Sequence, residues 1–314
     1  MKPKKQDEVI ALFCSDLHLS LTPPIFRSNE PDWLAAQQRP LDELTALQEK
    51  HDCPIFCAGD IFDKWNSPAE LINFAMGHLP YMHCIPGQHD LPEHDLGQIE
   101  RSAYWTLVKA SIIHDMSETV VYHEEGLMIY PFCYGKKITL FKGNKKIKPI
   151  AIIHEYNWVP GHVYQEEVAA KSQHVDSGRR EFEGYDIVVS GDNHSAFSVL
   201  LGKTQFVNCG TFMQRKSDEW TYAPSVWMLL ADGQMVQHPL MTSYDKHLDI
   251  TKAERLERDN EDIDLSSLID GLGKLGKCTL DFADAVKHHL AKYPVDKRVE
   301  RRIFKAMESD ERSR

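Results

Sequence analysis

The chain has 314 residues, of which 42% are hydrophobic, so it is long enough for one large α/β domain and a small appendage. No apolar run reaches the roughly 18 residues that a membrane span needs, and the opening MKPKKQDEV lacks the apolar stretch of a secretory signal. We therefore expect a cytoplasmic protein without membrane contact, and its formal net charge of −11 confines any nucleic-acid binding to local basic sites.

Short apolar runs rich in β-branched residues predict buried strands through the first three quarters of the chain. They cover residues 9–14, 54–58, 82–85, 126–132, 149–153, 185–190, 204–208 and 225–231. Helical patterns at 41–50, 68–78 and 97–110 separate the early strands, whereas few helices separate the late ones. This asymmetry favours an α/β fold of two packed mixed sheets flanked by helices. The seven cysteines form no CxxC pair, and we expect them to be reduced and structural.

The later part of the chain contains segments whose sequences do not predict β-strands. Residues 155–184 are polar and nearly strandless, which is typical of a lid or binding loop. Residues 252–262 form a charged run, which predicts a linker or a solvated helix. We expect a catalytic domain over 1–245, a charged linker over 246–262 and a small C-terminal helical region over 263–314.

Acidic residues and histidines follow five of the predicted strands at the point where each strand ends. These residues are Asp16 and His18, then Asp60 and Asp63, then Gln88 and His89, then His154, and finally Asp192 and His194. Open α/β sheets bind ligands at the carboxyl ends of their strands, and this mixture of oxygen and nitrogen donors suits Mn, Fe or Zn. A single Asp-x-His is more often a satisfied surface pair, but five such elements in order predict a metal site.

These blocks resemble the signature of the calcineurin-like metallophosphoesterases, which reads DxH, GDxxD, GNH[DE], a lone His and GHxH, over roughly residues 8–245. Within that superfamily, the stretches GDIFDKWNSP, PGQHDLPEH and FVNCGTF are most similar to DNA-repair exonucleases of the SbcD type, particularly phage versions. The resemblance implies two divalent metal ions, with Mn expected first and Mg, Fe, Co or Zn as alternatives.

The resemblance also implies the ligand sets. One ion would bind Asp16, His18, Asp60 and His194, and the other would bind Asp60, Gln88, His154 and Asp192. Two such ions can both contact a scissile phosphate and lower the pKa of an attacking water. His89 would protonate or hydrogen-bond the leaving oxygen, and Asp63 would orient its ring.

The sequence departs from the family pattern at two positions. Gln88 replaces the usual Asn, and its side chain is one methylene longer. Asp192 replaces the first His of GHxH, which makes the second site harder and favours Mn or Mg over Zn. Alternatively, Asp192 reaches a metal ligand only through water.

Several further residues are candidate substrate contacts. His94 follows the third block, Lys142, Lys145 and Lys146 belong to a basic run, and Tyr156 and Trp158 lie in the expected lid. The lysines would bind a phosphate backbone or form a solvated hairpin, and the aromatic side chains would stack on unpaired bases or pack against the domain. In SbcD-type nucleases the C-terminal region docks on an SMC-like coiled-coil ATPase, although a plain helical cap is an alternative here. We also expect a homodimer.

The leading hypothesis for function is a two-metal phosphodiesterase that acts on DNA as an exonuclease or endonuclease. A phosphoesterase for a cyclic nucleotide, or for a nucleotide-sugar or lipid diphosphate, is the first alternative, and the acidic net charge favours it. A non-catalytic protein that only binds partners is the second alternative.

Overall fold

The computed structural model describes residues 7–117, 122–124, 127–142, 148–162, 171–176, 179–261 and 297. Their strands are β1 Val9–Cys14, β2 Ile55–Cys57, β3 Met82–Cys84, β4 Ile113–Asp115, β5 Tyr122–Glu124, β6 Leu127–Phe132, β7 Lys148–His154, β8 Ile187–Gly191, β9 Phe197–Leu201, β10 Thr204–Asn208, β11 Ser225–Leu230 and β12 Met235–Pro239. The α-helices are α1 Trp33–His51, α2 Ala69–His78, α3 Ala103–Lys109 and α4 Ile250–Glu261.

The strands form two mixed six-stranded sheets. The first has the order β12-β11-β1-β2-β3-β4, in which β1 to β4 run parallel. The second has the order β5-β6-β7-β8-β10-β9, in which β6, β7, β8 and β10 run parallel. The predicted fold of two mixed sheets flanked by helices is therefore confirmed.

Alternating side chains of β1 show how the layers pack. Leu12 points toward the helices and lies in one core cluster with Leu44, Leu71 and Leu107 of α1, α2 and α3. Phe13 points the other way, into a second cluster that contains Phe56 of the first sheet and Ile152 and Val189 of the second. Successive side chains of a strand face opposite sides, so β1 is buried on both faces and joins the helical layer to the sheet sandwich.

Helix boundaries differ from the prediction for local reasons. Helix α1 begins at Trp33, where the Asp32 side chain accepts a hydrogen bond from the Ala35 N–H, and it continues through the buried Pro40. The helix predicted over 97–110 is interrupted at Ser102, whose hydroxyl accepts from the Trp105 N–H and starts α3. A 3-10 helix, Leu96–Arg101, precedes that break.

The charged run near residue 250 is helical, as α4. By contacts, the chain divides into the compact units Met1–Ala253 and Glu254–Arg314, and of the second unit only residues 254–261 and 297 are described. The helices predicted over 263–314 lie outside the described residues, as do Lys145 and Lys146, so the domain limits and the lysine contacts stay predictions. Within the described residues, no helix has both the length and the apolar character needed to cross a bilayer.

Candidate metal centre

The loops that follow strands of both sheets meet at one edge of the sandwich. The first sheet supplies Asp16 and His18 after β1, and Asp60 after β2. The second supplies His154 at the end of β7 and His194 after β8. Two overlapping donor clusters have ligand atoms that lie within 4.8 Å of one another: Asp16, His18 and His194, and Asp16, Asp60 and His154. A third group that meets the same distance is His18, Asp63 and His89. The structure thus brings five predicted ligands together, and their metal binding stays a prediction.

An unusual backbone conformation aims these side chains. Asp16, His18, Asp60 and Asp192 all have positive φ, at 54°, 46°, 57° and 82°. Residues other than glycine adopt this left-handed region uncommonly, and such positions cluster at functional sites. The chain turns sharply directly after each strand, which directs consecutive polar side chains into one small volume.

Glycines leave the space that these side chains fill. A Cβ atom at Gly87 would overlap the carboxylate of Asp60, and a Cβ atom at Gly59, where φ is +105°, would overlap the ring of His154. The glycines therefore make room for the candidate ligands themselves.

The hydrogen bonds of His154 define which of its nitrogens can bind a metal. Its Nδ1 lies 2.5 Å from the carbonyl oxygen of Ala58, which can only accept, so Nδ1 carries the proton. Its Nε2 then lies 2.6 Å from Gln88 Oε1 and 3.3 Å from Asp60 Oδ2. Burial alone lowers the pKa of His154, but Asp60, Asp16 and Asp192 raise it well above its ordinary value. The surroundings therefore stabilise a positive charge at this point.

His18 and His194 face each other with their Nε2 atoms 3.2 Å apart. His194 donates its Nδ1 proton to Glu219 Oε1 at 2.7 Å, which leaves Nε2 as a lone-pair donor. Glu219 is buried, and its other oxygen accepts from the backbone N–H groups of Arg215 and Lys216. A carboxylate that holds a histidine in this way orients it for metal binding. Sequence reasoning missed Glu219, because no spacing links it to the five blocks.

A prediction follows for Glu219. Glu219→Gln removes the charge that holds His194, and loss of such a partner typically weakens metal affinity about 10–100-fold. We expect that loss for one equivalent of Mn in an isothermal titration, while the other equivalent binds as before. Asp218→Asn, an exposed neighbour, is the matched control. Equal titration of both variants would show that Glu219 does not support a metal ligand.

The donor set fits divalent ions, because it contains a buried carboxylate oxygen that has no hydrogen-bond partner among the described residues. Asp60 Oδ2 is buried without a hydrogen-bond partner among the described residues, although it lies 3.8 Å from His18 Nε2 and 3.3 Å from His154 Nε2. Such an orphaned carboxylate oxygen is costly unless a cation satisfies it. Burial raises the pKa of Asp16 to about 7, and a bound cation would favour the charged form of this carboxylate.

Asp63 makes its hydrogen bond to His89 with its main chain and not with its carboxylate. His89 donates its Nδ1 proton to the main-chain oxygen of Asp63 at 2.9 Å. The Asp63 carboxylate accepts from Arg215 Nη2 at 2.7 Å, because the half-buried guanidinium provides a stronger, charge-assisted partner. Asp63 thus orients His89 through its backbone. Sequence reasoning did not single out Arg215.

Gln88 and Asp192 contact each other. The Gln88 amide donates to Asp192 Oδ1 at 2.6 Å, while its oxygen faces His154 Nε2. The Asp192 carboxylate belongs to neither donor cluster among the described residues. Asp192 is therefore linked to the centre by its carboxylate through Gln88 and by its backbone N–H, which donates to the Asp16 carboxylate at 3.2 Å.

The candidate substrate contacts separate into different environments. His94 is exposed, and its Nδ1 lies 3.2 Å from the carbonyl oxygen of Gln88, beside the centre. Lys142 is exposed, and Tyr156 lines a cleft next to Asp192. Trp158 is only 6% exposed and packs on His174 at 4.6 Å between ring centroids, so its predicted stacking on bases is wrong and the packing alternative holds.

Similarity to known proteins agrees with this arrangement. The model of the calcineurin-like phosphoesterase family matches residues 11–196, whereas no curated protein matches the chain. A putative 5'-nucleotidase from Staphylococcus aureus is 12% identical, with coverage of 80% of this chain and 58% of that one and a TM-score of 0.46. SoxB from Thermus thermophilus is 12% identical, with coverage of 85% and 62% and a TM-score of 0.43. This chain therefore spans less than two thirds of either protein.

A third solved structure, the calcineurin-like phosphoesterase YfkN from Bacillus subtilis, is 11% identical, with coverage of 82% of this chain and 98% of that one and a TM-score of 0.42. Similarities this low carry no functional argument. The family match does, because it spans more than half of the chain and every strand end that supplies a donor to the two clusters. The protein therefore belongs to the calcineurin-like phosphoesterase family.

Proposed function

We propose that this phosphoesterase is a two-metal phosphodiesterase that cleaves DNA, of the SbcD type. The observation that carries the phosphodiesterase proposal is a pair of donor clusters that share Asp16, with His89 beside them in a third group with His18 and Asp63. The similarity of three stretches to SbcD-type nucleases supports DNA as the substrate. A local basic run that includes the exposed Lys142 supports it as well.

Each donor cluster would hold one divalent ion. Asp16, His18 and His194 would hold the first, Asp60 would lie between the two, and His154 and the Gln88 amide oxygen would hold the second. When bound, such ions stabilise charge on the phosphate and acidify a water. We propose Mn as the metal, since the carboxylates and the amide oxygen form a hard donor set.

The chain's own groups position the reaction. His89 gives its Nδ1 proton to the Asp63 carbonyl, so its Nε2 is the nitrogen that can deliver a proton to the leaving oxygen. The backbone N–H of His89 donates to Asp60 Oδ1 at 2.9 Å, which fixes the distance between proton donor and metal ligand. Arg215 donates to the Asp63 carboxylate, while the Asp63 carbonyl accepts from His89.

Asp192 offers a test of the second ion. Asp192→Asn keeps an acceptor for the Gln88 amide but removes one negative charge, so we expect weaker binding of the second Mn and full occupancy of the first. Metal titration measures both, with the exposed Asp176→Asn as control. Asp192→His should shift activity toward Zn, Co or Fe, because imidazole is the softer ligand. Unchanged titration curves for Asp192→Asn would exclude any contribution of Asp192 to the second site.

A substrate comparison tests the proposed function itself. With Mn present, we expect hydrolysis of bis-p-nitrophenyl phosphate and of single-stranded or linear duplex DNA. Hydrolysis of cyclic nucleotides without any DNA cleavage would instead favour the small-substrate alternative, which the net charge of −11 supports.

The proposal extends to partners. DNA is one, and an SMC-like coiled-coil ATPase that docks on residues 263–314 is another; a homodimer is the proposed assembly. Co-purification of the full chain with and without residues 263–314 tests the second partner, since only the full chain should retain an ATPase.

A further inference from the structure

A cleft of about 520 Å³ opens directly beside the candidate metal centre. It lies between the loop after β7 and the 3-10 helix Ser217–Thr221. The centre contributes two residues to it, and other described residues complete its wall. The wall includes Tyr156, Asp192, His194, Lys216, Asp218 and Tyr222.

The size of the cleft limits its occupant. Clefts of roughly 300–1,000 Å³ bind one small organic ligand. A single sugar with its base is a ligand of this size, whereas a base-paired nucleotide would have to bring the opposite strand with it. Because Asp192 and His194 form one side of the cleft, a nucleoside in it would be attached to a phosphate at the metal centre.

The charges in the cleft disfavour a second phosphate. The positive charge of Lys216 is offset by the carboxylates of Asp192 and Asp218, which line the same cleft. The buried Glu219 accepts a hydrogen bond from His194. Proteins that follow a phosphate backbone use several lysines or arginines for it. This cleft therefore suits the uncharged part of a nucleotide.

Two aromatic rings line the cleft. Tyr156 comes from the loop after β7, and Tyr222 directly follows the 3-10 helix. Burial, together with Glu219 and Asp218, raises the pKa of Tyr222, so its hydroxyl stays protonated and can donate. Aromatic side chains stack on unpaired bases of any sequence.

We propose that this cleft binds the unpaired nucleoside on one side of the scissile phosphate, so that the enzyme acts on single-stranded DNA or frayed ends rather than within intact duplex. The inference rests on the proposed function, and it adds a subsite and a preferred form of DNA to it.

Three small esters test the subsite with the Mn-loaded enzyme. They are thymidine 5′-(p-nitrophenyl phosphate), thymidine 3′-(p-nitrophenyl phosphate) and methyl p-nitrophenyl phosphate, which share one leaving group. We expect one thymidine ester to have a KM about tenfold below that of the methyl ester, because stacking of one base strengthens binding by about that factor. The preferred isomer also reports which side of the phosphate the cleft receives.

Variants connect that preference to the cleft. Tyr156→Ala and Tyr222→Ala should each raise KM for the preferred thymidine ester about tenfold and leave the methyl ester unchanged. Tyr222→Phe retains the ring and should keep the preference. Tyr81→Ala, at a 53% exposed tyrosine outside the cleft, should change neither substrate.

The possible failures are distinguishable. Equal KM values for the thymidine and methyl esters, or tyrosine variants that impair both esters equally, would overturn the subsite. If DNA were cleaved within intact duplex as fast as in single strands, the proposed preference would be overturned. A tyrosine-dependent thymidine preference without cleavage of any DNA would leave the subsite standing and remove the nuclease function.

Discussion

Asp60→Asn is expected to abolish metal binding at both sites and reduce phosphodiester hydrolysis to background. Asp60 belongs to the cluster with Asp16 and His154, and its buried Oδ2 also lies 3.8 Å from His18 Nε2 of the other cluster, so one substitution affects both. Asn matches Asp in shape and tolerates the left-handed backbone at φ 57°, which limits the change to the lost charge. Elemental analysis after dialysis measures the metal, and bis-p-nitrophenyl phosphate reports the activity.

Asp52→Asn is a matched control, because Asp52 also has a left-handed backbone, with φ 46°, but is exposed at the end of α1. It should retain metal and full activity. If Asp60→Asn kept two equivalents of metal after dialysis, Asp60 would not be the group that joins the two sites.

His89→Ala is expected to keep both metals and lose on the order of 10²–10⁴ in turnover on DNA, as loss of a general acid does. The loss should be much smaller on bis-p-nitrophenyl phosphate, because p-nitrophenolate leaves readily without a proton. The ratio of the two effects thus separates proton transfer from any structural defect.

His114→Ala, at an exposed histidine on β4, should leave both substrates unaffected. Release of metal from His89→Ala, or an equal loss on the two substrates, would show that His89 acts as a ligand or scaffold and not as a proton donor.

The sequence predicted the positions of the centre well because strands and their ends carry a strong local signal. A buried strand such as Val9–Cys14 is continuously apolar, and its end is marked where polar ligands begin. The prediction missed four strands, β4, β5, β9 and β12. All four are edge strands of their sheets, and β4 and β5 are only three residues long. Short marginal strands lack the long apolar runs on which the prediction relied.

Partners of the ligands were much harder to predict. Glu219 reaches His194 from 25 residues away, and Arg215 reaches Asp63 from 152 residues away. Neither contact has a local pattern, because tertiary packing alone creates it. Likewise, the composition of residues around Trp158 could not distinguish a ring that packs on His174 from one that is free to stack on a nucleic-acid base.

The two sheets contribute to the same donor clusters, and this has a consequence for how long the protein lasts in a cell. Ions that bind Asp60 of one sheet and His154 of the other would bind only the folded chain, and a ligand present at 100 times its Kd adds about 2.7 kcal/mol of stability. A change of that size alters the unfolded fraction, and with it the rate of degradation, many-fold. Cellular abundance of this protein should therefore follow the supply of the metal that it binds.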